Sequence, residues 1–373
     1  MVAAFKSPLL RQGRQTTPMS NESSNEHVFD LLLCEDELGA GFTIVGLVFM
    51  FFIIISCLFG NTLVCVACVK CLRLQSFSEQ FIFSLALSDI MVAASVLPFD
   101  IVYWIAFPRW PLGEYVCNLW NALFFLFLTA SVLNLTSISI DRFLAVVYPL
   151  RYSIWVTPNL VKLMIASVWV YSSAIAVLIF FLLNPPEGET YSFDLNPLFH
   201  GFLLIGNLIF PFMIMIILYS KIYIIARRHA RRAGITSSSA NTSSPTRRTN
   251  SFARELKLAK TLGIVMLCFV ICWLPFEIIN VVILVDKGVT TCVVEITDTV
   301  ACWLAYLHSS FNPLVYAFAS SEFRRAFRKL LCKREWTSNL EVRMIVYSQS
   351  NTTGQRAAGS VSAVKPEECP EES

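Results

Sequence analysis

Seven apolar stretches dominate this chain, at residues 43–69, 78–104, 116–147, 160–183, 198–226, 258–285 and 293–318. Each is near or above the about 20 residues that carry a helix across a bilayer. Hydrocarbon offers no hydrogen-bond partner, so every backbone N–H and C=O in such a stretch must be satisfied inside its own segment, which makes the stretches helices. A membrane β-barrel would instead show short segments alternating with period two, and the chain has none. Its residues are 55% hydrophobic and 15% charged, against about 45–50% and 25% in a soluble domain. The expected fold is an all-α membrane protein, a seven-transmembrane helix bundle. The net charge of +3 is too small to argue for nucleic acid.

Lys and Arg in the short loops set the orientation. One set of loops holds Lys70, Arg73, Arg151, Lys221, Arg227, Arg228, Arg231, Arg232 and, after the last span, Arg324, Arg325, Arg328 and Lys329. The other set is acidic or mixed, with Glu114, Glu187, Glu189, Asp194, Asp286 and Glu295. The basic side is read as cytoplasmic, which places the N-terminus outside and the C-terminus inside. The first 20 residues have no apolar core followed by a small-residue cleavage site, so the first span is expected to act as its own insertion signal. Asn21 in "NES" is then a glycosylation acceptor on the outer side.

The chain divides into an extracellular tail at 1–42, the bundle at 43–320 and a disordered third intracellular loop at 229–253, rich in Ser and Thr. An amphipathic membrane-surface helix follows at 321–332, with Phe323, Phe327, Leu330 and Leu331 on one face and basic residues on the other. Such a helix lies on the inner leaflet and makes membrane lipid a partner. Residues 333–373 read as a disordered cytoplasmic tail. Cys332, just beyond the amphipathic segment, suits palmitoylation.

Ionisable groups within spans are costly and mark function by default. Asp89 sits mid-span, where Asn61, Ser131, His308, Ser309 and Asn312 could converge on it in a closed bundle and form a buried cation site. Pro211, Pro275 and Pro313 interrupt three spans, and each removes a backbone hydrogen bond. Trp273 in "CWLP" is placed to act as a lever beside one of these kinks. Asp141 and Arg142 lie together at the cytoplasmic end of the third span. Glu255, at the inner start of the sixth, is placed to pair with Arg142 across the bundle, a latch that an outside ligand could bias.

These residues resemble one family. Gly60–Asn61, "LALSD" ending at Asp89, Trp110 with Cys117, "SISIDRF", Trp169, Pro211 with Tyr219, "CWLP" and "NPLVY" at Asn312–Tyr316 are similar in order and spacing to rhodopsin-like (class A) G-protein-coupled receptors. Within that family "KLAKTLGIVMLCFVICWLPF" and "YSKIYIIARRHARR" look most like the biogenic-amine receptors. The resemblance implies a plasma-membrane receptor that passes a small extracellular signal to a heterotrimeric G protein on its inner face. Arg142, Tyr219 and Tyr316 would be switch residues and Trp273 the toggle. Arrestin and a receptor kinase would be further partners, and a structural sodium ion at Asp89 the one candidate cofactor.

The departures bear on the ligand. Where amine receptors carry an Asp seven residues after the outer Cys of the third span, this chain has Phe124. The catechol-binding serines of the fifth span correspond to Leu203, Leu204 and Asn207. Glu277, two residues after Pro275, or Asp100 could supply the missing anion, and Tyr306 stands in the same pocket. "FEIIN" at Phe276–Asn280 is similar to "LHIIN" of the adenosine receptors, in which the Asn reads the purine. The expected ligand is thus amine-like or adenosine-like. Cys117 lacks a partner in the second outer loop, which leaves Cys34, Cys292 or an unpaired thiol. "DRF" stands for the usual "DRY", and His308 for the usual Asn.

Other classes fare worse. An opsin needs a seventh-span Lys, and 293–318 contains none. A transporter would show internal repeats. An enzyme would need a nucleophile–base pair or metal-ligand spacing, which the four His do not provide. A constitutively active or ligand-silent receptor partner is the alternative, because Phe124 could fill the pocket.

Overall fold

The computed structural model describes residues 21–106, 110–183, 195–237, 247–285 and 292–331, with side chains placed for 41–106, 110–183, 195–228, 256–282, 285 and 296–331. Among the described residues all regular structure is helical. The chain divides after Phe327 into two units. The first holds the bundle. Of the second only Arg328–Leu331, the end of the last helix, is described.

The spans follow the apolar stretches. The first is α1 (Asn21–Val66), ending in one π-helical turn, Ala67–Leu72. The second is split by Val96 into α2 (Phe77–Ser95) and α3 (Leu97–Ala106). The third is α4 (Gly113–Val147). A short α5 (Pro149–Trp155) leads to the fourth, α6 (Pro158–Leu182). The fifth begins as α7 (Pro197–Leu204), widens into a second π turn at Ile205–Ile209 just before Pro211, and continues as α8 (Phe210–Ser237). The sixth is α9 (Arg247–Val285) and the seventh α10 (Cys292–Ala319). The last helix, α11 (Ser321–Leu331), is the expected amphipathic one. It buries Phe323 and Phe327, and Leu331 is exposed.

Local chemistry sets the starts and stops. Ser76 and Glu79 form a reciprocal capping box at the head of α2, which satisfies two otherwise orphaned N–H groups. Thr157 and Asn196 cap α6 and α7, each followed by Pro at the first helical turn, where the missing N–H costs nothing. Arg324 donates to the carbonyls of Ala317 and Phe318 at the frayed end of α10.

Six of the described helical segments are long and apolar enough to cross a membrane, and α10, with more polar residues, completes seven. α4 is the most enclosed and packs on α2, α6, α8 and α9. α1 closes the ring between α2 and α10. Gly60 permits that closure, since a Cβ there would lie 2.7 Å from Cγ of Pro313. Large apolar side chains such as Ile55, Phe59, Val170 and Phe181 face outward, as lipid-facing residues do.

α1 begins at Asn21, so the second half of the segment read as an extracellular tail is helical. Helices α8 and α9 run to Ser237 and from Arg247, so much of the loop read as disordered at 229–253 continues the spans. The Ser- and Thr-rich composition that suggests disorder does not stop these helices where the apolar run ends, since a helix propagates past it once nucleated.

Candidate functional site

α9 presents one face to the bundle. Phe269, Trp273, Phe276, Glu277 and Asn280 are buried at helical spacing, while Leu274, Ile278 and Val282 on the opposite face are exposed. Trp273 and Phe276 join Phe124 of α4 and Cys302, Ala305 and Tyr306 of α10 around a cavity too tight to admit a water molecule. Phe124 stands edge-on to Tyr306, with ring centroids 6.1 Å apart. The Tyr306 hydroxyl donates to Asp100 Oδ2 at 2.9 Å, and Asp100 is itself buried. The walls are almost wholly aromatic and apolar.

Beneath the cavity the polar residues of the spans meet. Trp273 Nε1 donates to His308 Nδ1 at 3.0 Å. His308 Nδ1 also lies 2.5 Å from the Ala305 carbonyl oxygen, so it meets a donor and an acceptor at once. His308 Nε2 lies 3.2 Å from Ser309 Oγ, and Ser309 donates to Asp89 Oδ1 at 2.8 Å. Asn312 Nδ2 donates to Asp89 Oδ2 at 2.7 Å, and His308 Nε2 is 3.8 Å from Asp89 Oδ1. The predicted convergence is therefore direct for Ser309 and Asn312. Asn61 reaches the Ser309 carbonyl instead, at 2.9 Å, and Ser131 bonds Ser88, the neighbour of Asp89. An unbroken run of buried contacts leads from the cavity wall at Trp273 to Asn312, one residue before Pro313.

At the far end of α4, Asp141 and Arg142 are both buried. Arg142 donates to Asp141 Oδ2 through Nη2 at 2.6 Å and Nε at 3.0 Å. Asp141 also accepts from Ser78 of α2 at 2.7 Å and from Tyr152 of α5 at 2.6 Å. Ser78 and Tyr152 escaped the sequence reading because neither lies in a motif; their role follows only from packing. The Glu255 side chain lies outside the described residues. Tyr316 is buried and Tyr219 partly buried, and their hydroxyls have no hydrogen-bond partner among the described residues. Tyr219 packs on Gly263 of α9, where a Cβ would lie 3.1 Å from its ring, and Tyr316 stacks on Phe323 of α11.

The remaining candidates do not line the cavity. Asn280 turns its amide back to the Phe276 carbonyl at 2.7 Å. Asn207, within the second π turn, accepts from Tyr171 at 2.7 Å, and its Nδ2 lacks a partner among the described residues. Glu277 is buried with both carboxylate oxygens likewise unpartnered. Pro275 and Pro313 lie inside α9 and α10 as expected. Cys302, in the cavity wall, carried no sequence signal beyond its place in an apolar run. Cys117 is buried and its Sγ accepts from Asn121, while the side chains of Cys34 and Cys292, like those of Asn21 and Cys332, lie outside the described residues.

Residues 60–316 match the family described as 7 transmembrane receptor (rhodopsin family). The chain belongs to that family. It is therefore a rhodopsin-family G-protein-coupled receptor, a multi-pass protein of the plasma membrane, and not an enzyme. The D(1A) dopamine receptor of Xenopus laevis is 36% identical over 347 residues, which cover 81% of this chain and 75% of the relative. The D(1)-like dopamine receptor of Takifugu rubripes is 36% identical over 348 residues, 82% of this chain and 73% of its own. The alpha-1A adrenergic receptor of Oryzias latipes is 33% identical over 319 residues, 77% of this chain and 66% of its own. The receptor is thus similar to the biogenic-amine branch.

Proposed function

We propose that this receptor binds a small extracellular ligand in the cavity bounded by Phe124, Trp273, Phe276 and Tyr306, and passes the event to a G protein at the Asp141–Arg142 end. The cavity end would then face outside and the basic loops the cytoplasm, with the N-terminus extracellular. The observation that carries this reading is the buried run Trp273–His308–Ser309–Asp89–Asn312. A side chain in the cavity wall is wired to the base of the seventh span, so displacing Trp273 breaks contacts that end beside the Pro313 kink. The buried, unpartnered hydroxyls of Tyr219 and Tyr316 favour a second arrangement in which they find partners, because such groups cost about 1–3 kcal/mol each. Arg142, released from Asp141, would contact the G protein, and Glu255 would complete the latch. Arrestin and a receptor kinase would use the same inner face, and the basic face of α11 would rest on lipid.

A structural sodium ion would be held at Asp89, whose oxygens each accept one bond, from Ser309 and Asn312, and keep further lone pairs.

The test is cyclic AMP in cells expressing the receptor beside Arg142→Ala at matched surface level. A signal above control, basal or evoked by an added amine or adenosine, that Arg142→Ala abolishes supports the reading. A signal that survives Arg142→Ala overturns the switch assignment. That the cavity, with Phe124 in its wall, admits no water molecule supports a second reading, a constitutively active or ligand-silent partner, because ligand sites usually measure about 300–1,000 Å³. Basal signalling that Phe124→Ala does not alter would favour it.

A further inference from the structure

α5, the link between the third and fourth spans, cannot hold its place by helix propensity. It has seven residues and none is buried, and isolated helices shorter than about 12–15 residues are marginal in water. One support is the Tyr152 hydroxyl on Asp141. That bond fixes the middle of α5 and leaves its far end, at Trp155, to other contacts.

Those contacts form a ladder of rings with a cation at each end. Trp155 stands edge-on to Tyr148, the residue that joins α4 to α5, with centroids 5.5 Å apart. Tyr148 stands edge-on to Phe143 of α4 at 6.1 Å. The Lys221 ammonium of α8 lies 5.9 Å from the centroid of Phe143, and the Arg151 guanidinium lies 5.6 Å from that of Trp155. Edge-to-face rings attract at about 4.5–7 Å, and a cation attracts a ring face within about 6 Å, so every step falls in range. Phe143, the Phe of "DRF", roots the ladder, because it also packs on the buried cluster of Val146, Ile222 and Ala259. Tyr148 is 43% exposed and Trp155 41%, so core packing does not hold them.

We infer that this ladder seats α5 and ties its seat to the fifth span, with Lys221 and Phe143 as positioning residues for G-protein coupling. The seated helix presents Leu150 and Ile154, each 72% exposed and one turn apart on one face. The inference rests on the receptor reading above for the end of the bundle that meets the G protein. Aromatic residues at a membrane surface also act as separate anchors, and such rings would not depend on a lysine of α8.

Purified full-length receptor in phosphatidylcholine nanodiscs is tested by hydrogen exchange at α5. There the Arg151 and Tyr152 N–H groups donate to the Tyr148 carbonyl at 2.9 Å, and the Val156 N–H donates to that of Tyr152 at 2.8 Å. Lys221→Gln should speed exchange of these amides about two- to fivefold, the worth of one exposed cation–ring contact, without lowering the Tm. Phe143→Leu should do at least as much, and adding Lys221→Gln to it should change nothing further, because both remove the same contact. Lys221→Arg keeps the cation and Phe143→Tyr the ring, so both should exchange as the wild type does. A wild-type rate in Lys221→Gln overturns the ladder, as does an equal rise in Lys221→Arg. In the cyclic AMP comparison above, Lys221→Gln should at least about halve the Arg142-dependent signal and Lys221→Arg should preserve it. Equal signals from Lys221→Gln and the wild type overturn the role in coupling. The exchange readout needs no G protein, so its failure is distinct from failure of the Arg142→Ala test.

Discussion

Gly60 is the residue on which the closure of α1 against α10 depends. A methyl group there meets Cγ and Cβ of Pro313 at 2.7 and 2.9 Å, and neither atom belongs to a flexible tail. Gly60→Ala should therefore cost about 1–3 kcal/mol of overpacking, read as a lower Tm of the purified receptor; an unchanged Tm would mean that α1 yields freely. His308 is equally exposed to single changes. Replacing it with Phe leaves the Trp273 N–H buried without its acceptor, for an expected loss of about 1–3 kcal/mol. Intrinsic Trp fluorescence should shift as the indole changes surroundings. If both stability and emission match the wild type, Trp273 is not held by this contact.

Between elements, Asp141 is the joint. It ties α4 to α2 through Ser78 and to α5 through Tyr152, besides holding Arg142. Ser78→Ala and Tyr152→Phe each remove one hydrogen bond, about 0.5–1.5 kcal/mol, and free Asp141 to move with its helix. Both should raise ligand-independent cyclic AMP at matched surface level, and the double variant more than either. A fall in the basal signal would show that Asp141 holds Arg142 ready for the G protein instead. The sequence placed Asp141 and Arg142 at a helix end and left Glu255 as the outside partner. It could not place Ser78 or Tyr152, because a hydroxyl in a helical run looks the same whether it bonds its own backbone or a carboxylate 63 residues away in the chain. Spacing along one helix is legible in a sequence; distance between helices is not.

Across the whole molecule the apolar parts of the spans were legible, because lipid imposes length and apolarity together, whereas the polar extensions of α1, α8 and α9 were not. The cavity was only half legible. Phe124, Trp273, Phe276 and Tyr306 line it, whereas Asn280 bonds its own helix and Asn207 bonds Tyr171. Polar residues on a buried helical face have several partners open to them, and packing alone decides among them. The orientation has a direct check. Peptide-N-glycosidase applied to intact cells should reduce the apparent mass of the wild type and leave Asn21→Gln unaffected; insensitivity of the wild type would leave the outside placement of the N-terminus without this support.

The second π turn, Ile205–Ile209, has an effect that reaches well beyond its five residues. A regular helix advances about 100° per residue, and a π turn inserts one residue into that progression. A count back from Pro211 along an ideal helix therefore assigns Leu203 and Leu204 to the wrong azimuth by about one such step, while the π turn leaves Leu203 and Leu204 buried and Ile205 exposed. Any pharmacophore drawn onto the outer half of the fifth span must be rotated by that step before its contacts are compared with those of a straight-helix receptor.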